Sequence, residues 1–175
     1  MGLGGSRMNL FILHTDPVIA AKYYCDLHVP KLVVECYQML GSAVRRHGAT
    51  DEQMPLTATT KRPLRGGYHN HPATRFVGNT RDNYRWTVEH ALALCSEFQK
   101  RFGKTHACEA GIRHLKDMDS LIPEGDLTEF ALCMPDEYKV KGDAVASYRA
   151  YYLNDKIRFA EWNRGRSAPH WWVAA

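Results

Sequence analysis

The sequence predicts a single all-α domain of three main helices joined by long loops. Three long segments place apolar residues at three- and four-residue steps, the spacing of one buried helix face. No strand series, internal repeat or coiled-coil heptad pattern accompanies them. At 175 residues the chain is long enough to bury a core as one domain, which we place at residues 8–175. We take residues 1–7 to be a leader that precedes a native start at Met8.

Composition limits the cellular setting and the class of partner. The formal net charge of +4 permits a polyanionic partner without requiring one. The five cysteines are odd in number and contain no Cys-x-x-Cys pair, which favours a reducing cytoplasm over a disulfide framework. No apolar run approaches the roughly 18 residues that cross a bilayer, and no signal peptide is evident. We therefore predict a cytoplasmic protein without a membrane partner.

The first helix is predicted from Val18 to about His47. Before it, Met8–Leu13 is a short apolar run that fits either a strand or a buried extended segment. Thr15 or Asp16 followed by Pro17 is a helix-start signal, because the missing proline N–H costs nothing in the first turn. Pro30 interrupts the pattern, so we expect a kink or break near residues 26–29.

The second helix is predicted from Arg81 to Phe102, with Thr80 as its N-cap and Gly103 ending it. Before it, residues 48–67 are polar and contain two prolines, which predicts a loop with a basic patch at residues 61–65. Residues 66–72, Gly-Gly-Tyr-His-Asn-His-Pro, form a compact turn rich in groups that bind ligands or do chemistry.

The last third of the chain is predicted to hold the third main helix. A short helix falls within residues 105–116, and residues 117–135 are looser. Asp143 caps the third helix, which runs to about Phe159. Four of its apolar residues are expected to face inward: Val145, Tyr148, Tyr152 and Ile157.

The richest chemistry lies in residues 24–35 of the first helix. Cys25, His28, Lys31 and Glu35 fall on a different helix face from the apolar stripe. A nucleophilic Cys25 beside His28 fits this spacing, and so does a thiol packed in the core. A general acid or base at His28 is the better-supported reading, because imidazole titrates near neutral pH and Glu35 or Asp26 could orient it.

A metal site is the second reading of the same segment. Cys25 and His28, together with His69 and His71, supply soft and imidazole ligands that could hold zinc. Their spacing matches no common structural zinc module, and a packed thiol with hydrogen-bonded histidines is the favoured explanation of these residues. We predict no cofactor and no metal.

The C-terminal tail is basic and aromatic. Arg164 and Arg166 could bind phosphates, while Trp171 and Trp172 could stack on bases. Composition equally supports a structural role in which the two indoles pin the C-terminus onto the core, since tryptophan is usually mostly buried.

In these features the chain resembles the phage pyrimidine-dimer DNA glycosylases, the endonuclease V type of the T-even phages, and their bacterial relatives. The resemblance follows the chain in order through Met8–Leu10, His28-Val29-Pro30-Lys31, Gly67–Phe76, Met134–Tyr138, Asn154–Ile157 and Ser167–Trp172. It implies a compact three-helix protein that bends duplex DNA and flips a nucleotide out of the stack. It also implies an N-terminal α-amine that attacks the sugar C1′, assisted by a glutamate in the first helix.

His28 occupies the place of that glutamate in this chain. A neutral imidazole moves protons but does not supply a fixed negative charge to an oxocarbenium-like centre. The resemblance therefore implies the family scaffold with an altered active site. The candidate catalytic residues are His28, Glu35, Asp26, Cys25 and His71. The candidate DNA and phosphate contacts are Lys31, Arg65, Tyr68, His69, Asn70, Arg75, Arg164, Arg166, Trp171 and Trp172.

Three functions follow from this scaffold, each with double-stranded DNA as the partner. The first is a glycosylase with abasic-site lyase activity on a damaged or modified pyrimidine, with His28 or Glu35 replacing the glutamate. The second is an amino-acid:DNA transferase of thymidine hypermodification, which joins a free amino acid to pyrophosphorylated 5-hydroxymethyluracil. In that reaction His28 would deprotonate the amine, and Lys31, Arg65 and Arg75 would hold the phosphates. The third is a non-catalytic DNA-binding module.

Overall fold

The computed structural model describes residues 9–173, so the predicted leader and Met8 lie outside the described residues. Within that range the chain forms six α-helices: α1 (Pro17–Tyr23), α2 (His28–Arg46), α3 (Pro72–Asn79), α4 (Arg81–Phe102), α5 (Glu109–Lys116) and α6 (Ala144–Tyr151). Short 3-10 turns lie at Asp51–Gln53, Asp119–Leu121 and Asp136–Tyr138. The described residues form no strand beyond one isolated bridge between Leu56 and Pro63. The prediction of an all-α fold is confirmed.

The predicted first helix is broken in two, at the expected place. Asp16 caps α1 by accepting from the N–H groups of Val18 and Ile19, and Pro17 begins the helix. The chain then leaves the helical conformation at Tyr24, and α2 begins at His28. Pro30 is therefore the third residue of α2, where the missing N–H has no helical partner to lose.

Helices α2 and α4 pack against each other and form the centre of the core. Helix α4 has the predicted bounds: Thr80 accepts from the Asn83 N–H, and Gly103 ends the helix with a left-handed φ of 73°. The shorter helix α1 packs on α4, and α3 fits between α2 and α4. This packing leaves one face of the first turns of α2 uncovered by the other helices, and that face lines the cavity described below.

Helix α3 has no counterpart among the predicted helices. Its N-cap is His71, whose Nδ1 accepts from the Ala73 N–H, and its first residue is Pro72. The eight-residue helix is too short to give a clear periodic pattern. A proline after a capping side chain was the local signal for its start.

The predicted third helix is shorter and less regular than expected. Helix α6 ends at Tyr151 and continues as a π-helical turn over Tyr152–Lys156. Tyr148 and Tyr152 are fully buried as predicted, whereas Ile157 is 39% exposed. A π turn holds more residues than an α turn, so Ile157 rotates away from the buried face.

Both ends of the described chain pack onto the helices. Residues 10–13 form a buried extended segment without strand pairing, and the Tyr24 hydroxyl donates to the Phe11 carbonyl. Near the other end, the Trp162 indole donates to the Tyr23 carbonyl. None of the helices within residues 9–173 has the length and apolar character needed to cross a membrane.

Candidate active site

A cavity of about 880 Å³ opens beside the first turns of α2. Its other walls come from the N-terminal extended segment, the start of α3, residues 132–135, and the end of α6 with the residues that follow. The polar and charged side chains in its lining are Asn9, His28, Lys31, Glu35, His71, Tyr151, Asp155, Lys156 and Arg158. Segments far apart in sequence therefore meet around the helix face predicted to carry the chemistry.

Glu35 is a buried carboxyl in this wall with an incompletely hydrogen-bonded side chain. The residue is only 6% exposed, yet it lines the cavity. Its Oε2 atom has no hydrogen-bond partner among the residues described. Burial raises the pKa of its carboxyl to about 7 from an ordinary value of 4.5, although the Lys31 charge and the Asn9 backbone N–H both act to lower it. Glu35 can therefore give or take a proton near neutral pH.

His28 is a neutral, packed imidazole. Its ring stacks on Phe11 at a centroid distance of 4.7 Å, and its Nδ1 lies 2.5 Å from the Tyr152 hydroxyl. Burial, together with the charges of Lys156 and Lys31, lowers the pKa of His28 to about 3. A group with this pKa is a poor proton acceptor at neutral pH, so the structure does not favour His28 as the general base.

Three cationic side chains line the same cavity. Lys156 pairs with Asp155 at 2.9 Å and lies 4.5 Å from the centre of the Tyr151 ring. Lys31 and Arg158 also face the cavity, and neither forms an ion pair within residues 9–173. Unpaired cations beside a protonatable carboxyl suit a substrate that carries phosphate groups.

Two of the candidate catalytic residues do not reach the cavity. Cys25 is fully buried, and burial raises the pKa of its thiol. Its sulfur lies 3.7 Å from the Tyr152 hydroxyl, as in the packed-thiol reading and not the nucleophile reading. Asp26 does not orient His28: its carboxylate accepts from Arg101 at 3.1 Å and from the Asn163 N–H at 2.7 Å.

The metal-site hypothesis is not supported by the positions of its proposed ligands. Of the four proposed ligands, only His28 and His71 line the cavity, and His69 is exposed. Across residues 9–173, no group of three or more histidine, cysteine or acidic residues is arranged to hold a metal ion. Nδ1 of His71 already caps α3.

The tail residues predicted to contact DNA pack against the protein itself. Arg166 forms two hydrogen bonds to Glu97, at 2.9 and 2.8 Å, and Arg164 lies over the Phe102 ring at 4.6 Å. Trp171 and Trp172 are partly buried against Tyr152. The structure thus has the arrangement in which the indoles pin the C-terminus onto the core. A role for the tail in DNA contact stays a prediction.

The other predicted contacts lie on or beside the turn that leads into α3. Arg65, Tyr68, His69 and Asn70 are exposed on this loop. Arg75 is exposed on α3. His71 and Pro72 carry the chain from this turn into the cavity wall.

Sequence reasoning missed the cavity residues from distant parts of the chain, among them Phe11, Tyr151, Lys156 and Arg158. Phe11 looked like core, and it does stack on His28 while reaching the cavity. Lys156 lay inside Asn154–Ile157, one of the segments that carried the family resemblance, and that segment was the available signal. Tyr151 and Arg158 flank it and had no signal of their own.

Comparison with known proteins identifies a family for this chain. Neither a curated protein nor a solved structure is significantly similar to the chain. The family described as pyrimidine dimer DNA glycosylase matches residues 8–110, more than half of the chain. The matched region includes α2 with His28, Lys31 and Glu35, as well as the turn before α3. The chain therefore belongs to the pyrimidine dimer DNA glycosylase family and is, at that level, a DNA-processing enzyme.

Proposed function

We propose that the protein is an N-glycosylase with abasic-site lyase activity, which receives a damaged or modified pyrimidine flipped out of duplex DNA in the cavity beside α2. Glu35 takes the role of the family glutamate. The observation that carries this proposal is the Glu35 carboxyl: it lies in the cavity wall, one oxygen has no partner among the described residues, and its pKa is about 7.

The position of Glu35 on α2 supports this assignment. Residues 28 and 35 are seven apart, which is two helical turns, so they share one face about 10 Å apart along the axis. The carboxyl that the family places at residue 28 is thus replaced by one further along the same wall. The reacting sugar would accordingly lie nearer Glu35 than His28.

The N-terminal segment meets Glu35 as the proposal requires. The backbone N–H of Asn9 donates to the Glu35 carboxylate, which lowers the pKa of that group. The Asn9 side chain donates to the Cys133 carbonyl at 2.8 Å, which fixes the segment at the cavity wall. A chain that begins at Met8, as the sequence predicts, would carry its α-amine one residue from this contact.

The chemistry then divides among the cavity residues. The α-amine of a chain that begins at Met8 attacks C1′ of the target nucleotide, the bond from C1′ to the base breaks, and the electron pair leaves with the base. Protonated Glu35 donates its proton to the departing base, and the resulting carboxylate stabilises positive charge on the sugar. The same carboxylate then accepts the proton that the attached nitrogen loses as the C1′–O4′ bond opens and the Schiff base forms. Lys31 and Arg158 hold the flanking phosphates. His28 remains neutral and packed in the cavity wall and transfers no proton.

The test is base release from duplexes that carry single damaged or modified pyrimidines, including a thymine cyclobutane dimer and 5-hydroxymethyluracil. Glu35→Gln should lower the rate at least about 100-fold, the usual scale for loss of a positioned acid. The matched control is Glu137→Gln, because Glu137 is an exposed carboxyl outside the cavity lining; it should stay within twofold of wild type. Borohydride should trap a covalent adduct with abasic DNA.

Three results would count against the proposal. If wild type released no base from any duplex in the panel, the glycosylase would be excluded. If Glu35→Gln kept the wild-type rate, Glu35 would not be the proton donor. Tight DNA binding with neither base release nor trapping would favour the non-catalytic binding module.

A second candidate, the amino-acid:DNA transferase, is favoured by the unpaired cations. Lys31 and Arg158 could hold a pyrophosphate leaving group without first breaking an ion pair among the described residues. The amine of a free amino acid would attack the 5-methylene carbon as the C–O bond to pyrophosphate breaks. Its proton would go to Glu35, because the low pKa of His28 makes that residue a poor base. Mass spectrometry of nucleosides from treated pyrophosphorylated DNA tests this, and an unchanged base spectrum with every amino acid would reject it.

A further inference from the structure

Tyr68 stands out on the surface next to the cavity. Its side chain is 55% exposed although it is a large aromatic. Its backbone has a φ of 54°, in the left-handed region that bulky residues rarely adopt. Such strain persists only where the surrounding structure fixes the backbone, and it concentrates at functional sites.

The loop around Tyr68 is fixed on its N-terminal side by α2. The Ser42 hydroxyl donates to the Gly67 carbonyl and accepts from the Gly67 N–H, both at 2.8 Å. Gly66 runs so close to α2 that a Cβ there would lie 2.3 Å from the Ser42 oxygen, and its φ is 80°. Only glycine fits at that position, so the backbone approach is built into the sequence.

The loop is also fixed on its C-terminal side. The His71 N–H donates to the Tyr68 carbonyl at 3.0 Å, and His71 caps α3. The backbone is held at both ends, while the Tyr68 ring projects outward. This ring can therefore be inserted into another molecule without first ordering the loop, which lowers the entropic cost of binding.

The distance from Tyr68 to the cavity matches the scale of DNA. Tyr68 and His71, which lines the cavity, are the first and last residues of a hydrogen-bonded turn, so their Cα atoms lie within about 7 Å of each other. That reach corresponds to about two base-pair steps of 3.4 Å. Arg65 and Arg62 are exposed on the same loop and can position a phosphate backbone.

We propose that Tyr68 inserts its ring into the base stack next to the nucleotide that is flipped into the cavity. This inference rests on the proposed function, since it assumes that a base leaves the stack. Extrusion leaves a gap with unstacked neighbours, and an aromatic ring that fills the gap restores part of the lost stacking. The stacking surface is the ring face, so the hydroxyl is not required.

The experiment uses the full chain and a duplex with one thymine cyclobutane dimer next to 2-aminopurine, whose fluorescence rises when it unstacks. Tyr68→Ala should weaken binding to this duplex and slow the fluorescence change about tenfold, the scale of losing one stacked base. Tyr68→Phe should stay within twofold of wild type. The control Leu127→Ala removes another exposed apolar side chain, which is 46% exposed, and should change nothing.

A second duplex makes the test specific to insertion. It has the same dimer but lacks the base on the opposite strand, so that pairing is already broken. The Tyr68→Ala defect should shrink to less than threefold on this duplex, because less stacking has to be replaced. An equal defect on both duplexes would overturn the proposal in favour of a general surface contact.

The remaining outcomes separate this inference from the proposed function. A Tyr68→Phe variant as weak as Tyr68→Ala would overturn ring stacking, and so would a Tyr68→Ala variant that matches wild type. If wild type releases base and Tyr68→Ala matches wild type in every assay, the glycosylase proposal stands and the inference about Tyr68 is overturned. A protein that unstacks 2-aminopurine through Tyr68 but never releases a base keeps the inference and loses the glycosylase.

Discussion

Two clusters of buried ionisable groups begin two residues apart, at Asp26 and at His28, and they are built in opposite ways. In the paired cluster, Arg101 bridges Asp26 and Glu97, and Arg166 closes on Glu97 from the tail. In the cavity cluster, one oxygen of Glu35 has no partner among the described residues, and Lys31 has no ion pair there. Pairing makes a buried charge structural, whereas incomplete pairing leaves it ready to react.

The two glutamates show this difference in their proton affinity. Burial raises the pKa of Glu35 to about 7. Burial would also raise the pKa of Glu97, but hydrogen bonds and charges from Arg166 and Arg101 outweigh it and lower the pKa below its ordinary value. One carboxyl therefore holds its proton near neutral pH, while the other stays ionised and acts as a fixed anchor for two segments.

The largest expected effect comes from breaking the paired cluster with Arg101→Met. The Arg101 side chain is fully buried and also donates to the Tyr24 and Lys22 carbonyls. Its loss leaves two buried carboxylates without their shared cation and should cost about 3–5 kcal/mol of unfolding free energy. Urea unfolding at neutral pH measures it. Lys100 is the exposed neighbour, so Lys100→Met is the control, and its unfolding free energy should stay within about 0.5 kcal/mol of wild type. A loss below about 1 kcal/mol in Arg101→Met would contradict the paired-cluster interpretation.

The next effect is a pH-dependent gain of stability in Glu35→Gln. The folded-state pKa of about 7 exceeds the ordinary 4.5, so wild type loses stability as the pH rises through that window. The variant has no such loss. Its unfolding free energy relative to wild type should therefore rise by about 3 kcal/mol between about pH 4 and about pH 8. Paired denaturant titrations measure this difference, and subtraction removes the contribution of His28, which both proteins share.

Glu97→Gln is the matched comparison for that titration and should have the opposite sign. Because the folded pKa of Glu97 is lowered, wild type gains stability from this group above the unfolded pKa and loses it as the pH falls through the folded pKa. The unfolding free energy of the variant should therefore drop below that of wild type as the pH rises from strongly acidic values. A pH-independent difference for both variants would remove the distinction between the clusters.

A smaller effect is expected from releasing the tail with Arg166→Gln. Arg166 makes two hydrogen bonds to Glu97 but keeps 26% of its side chain exposed, while Arg101 continues to neutralise Glu97. The variant should lose about 1–2 kcal/mol and be cleaved faster by protease near its C-terminus. Arg164→Gln is the control, since the exposed Arg164 has only its ring contact with Phe102 to lose. Equal losses in both variants would contradict a specific role for the Glu97 contact.

The smallest expected effect comes from relieving the backbone strain at Tyr68, beside the cavity. Tyr68→Gly should stabilise the fold by about 0.5–1 kcal/mol, because relief of a left-handed backbone exceeds the entropic cost of glycine. Asn70→Gly on the same loop, where φ is not positive, should be neutral or destabilising. Thermal unfolding measures both. A destabilised Tyr68→Gly would mean that the Tyr68 ring supports the loop.

The sequence by itself determined the helices whose signals are local. Asp16-Pro17 and Pro30 predicted the start of α1 and the break before α2, and Thr80 with Gly103 predicted both ends of α4. Capping side chains, prolines and left-handed glycines act on neighbouring backbone groups, so their effect can be read without a fold. The same spacing argument placed His28, Lys31 and Glu35 on one face of α2.

Only the tertiary structure decided which of these groups lines the cavity. Glu35 and Asp26 are both acids of one short segment, yet one lines the cavity and the other is bonded to Arg101 and Asn163. The hydrogen-bond partners of Asp26 and His28 come from α4, the tail and the π turn, and they lie 75 to 137 residues away in the chain. Burial and pairing shift a pKa through the whole surrounding fold, so His28 is a packed, neutral imidazole and the Glu35 carboxyl titrates near neutral pH.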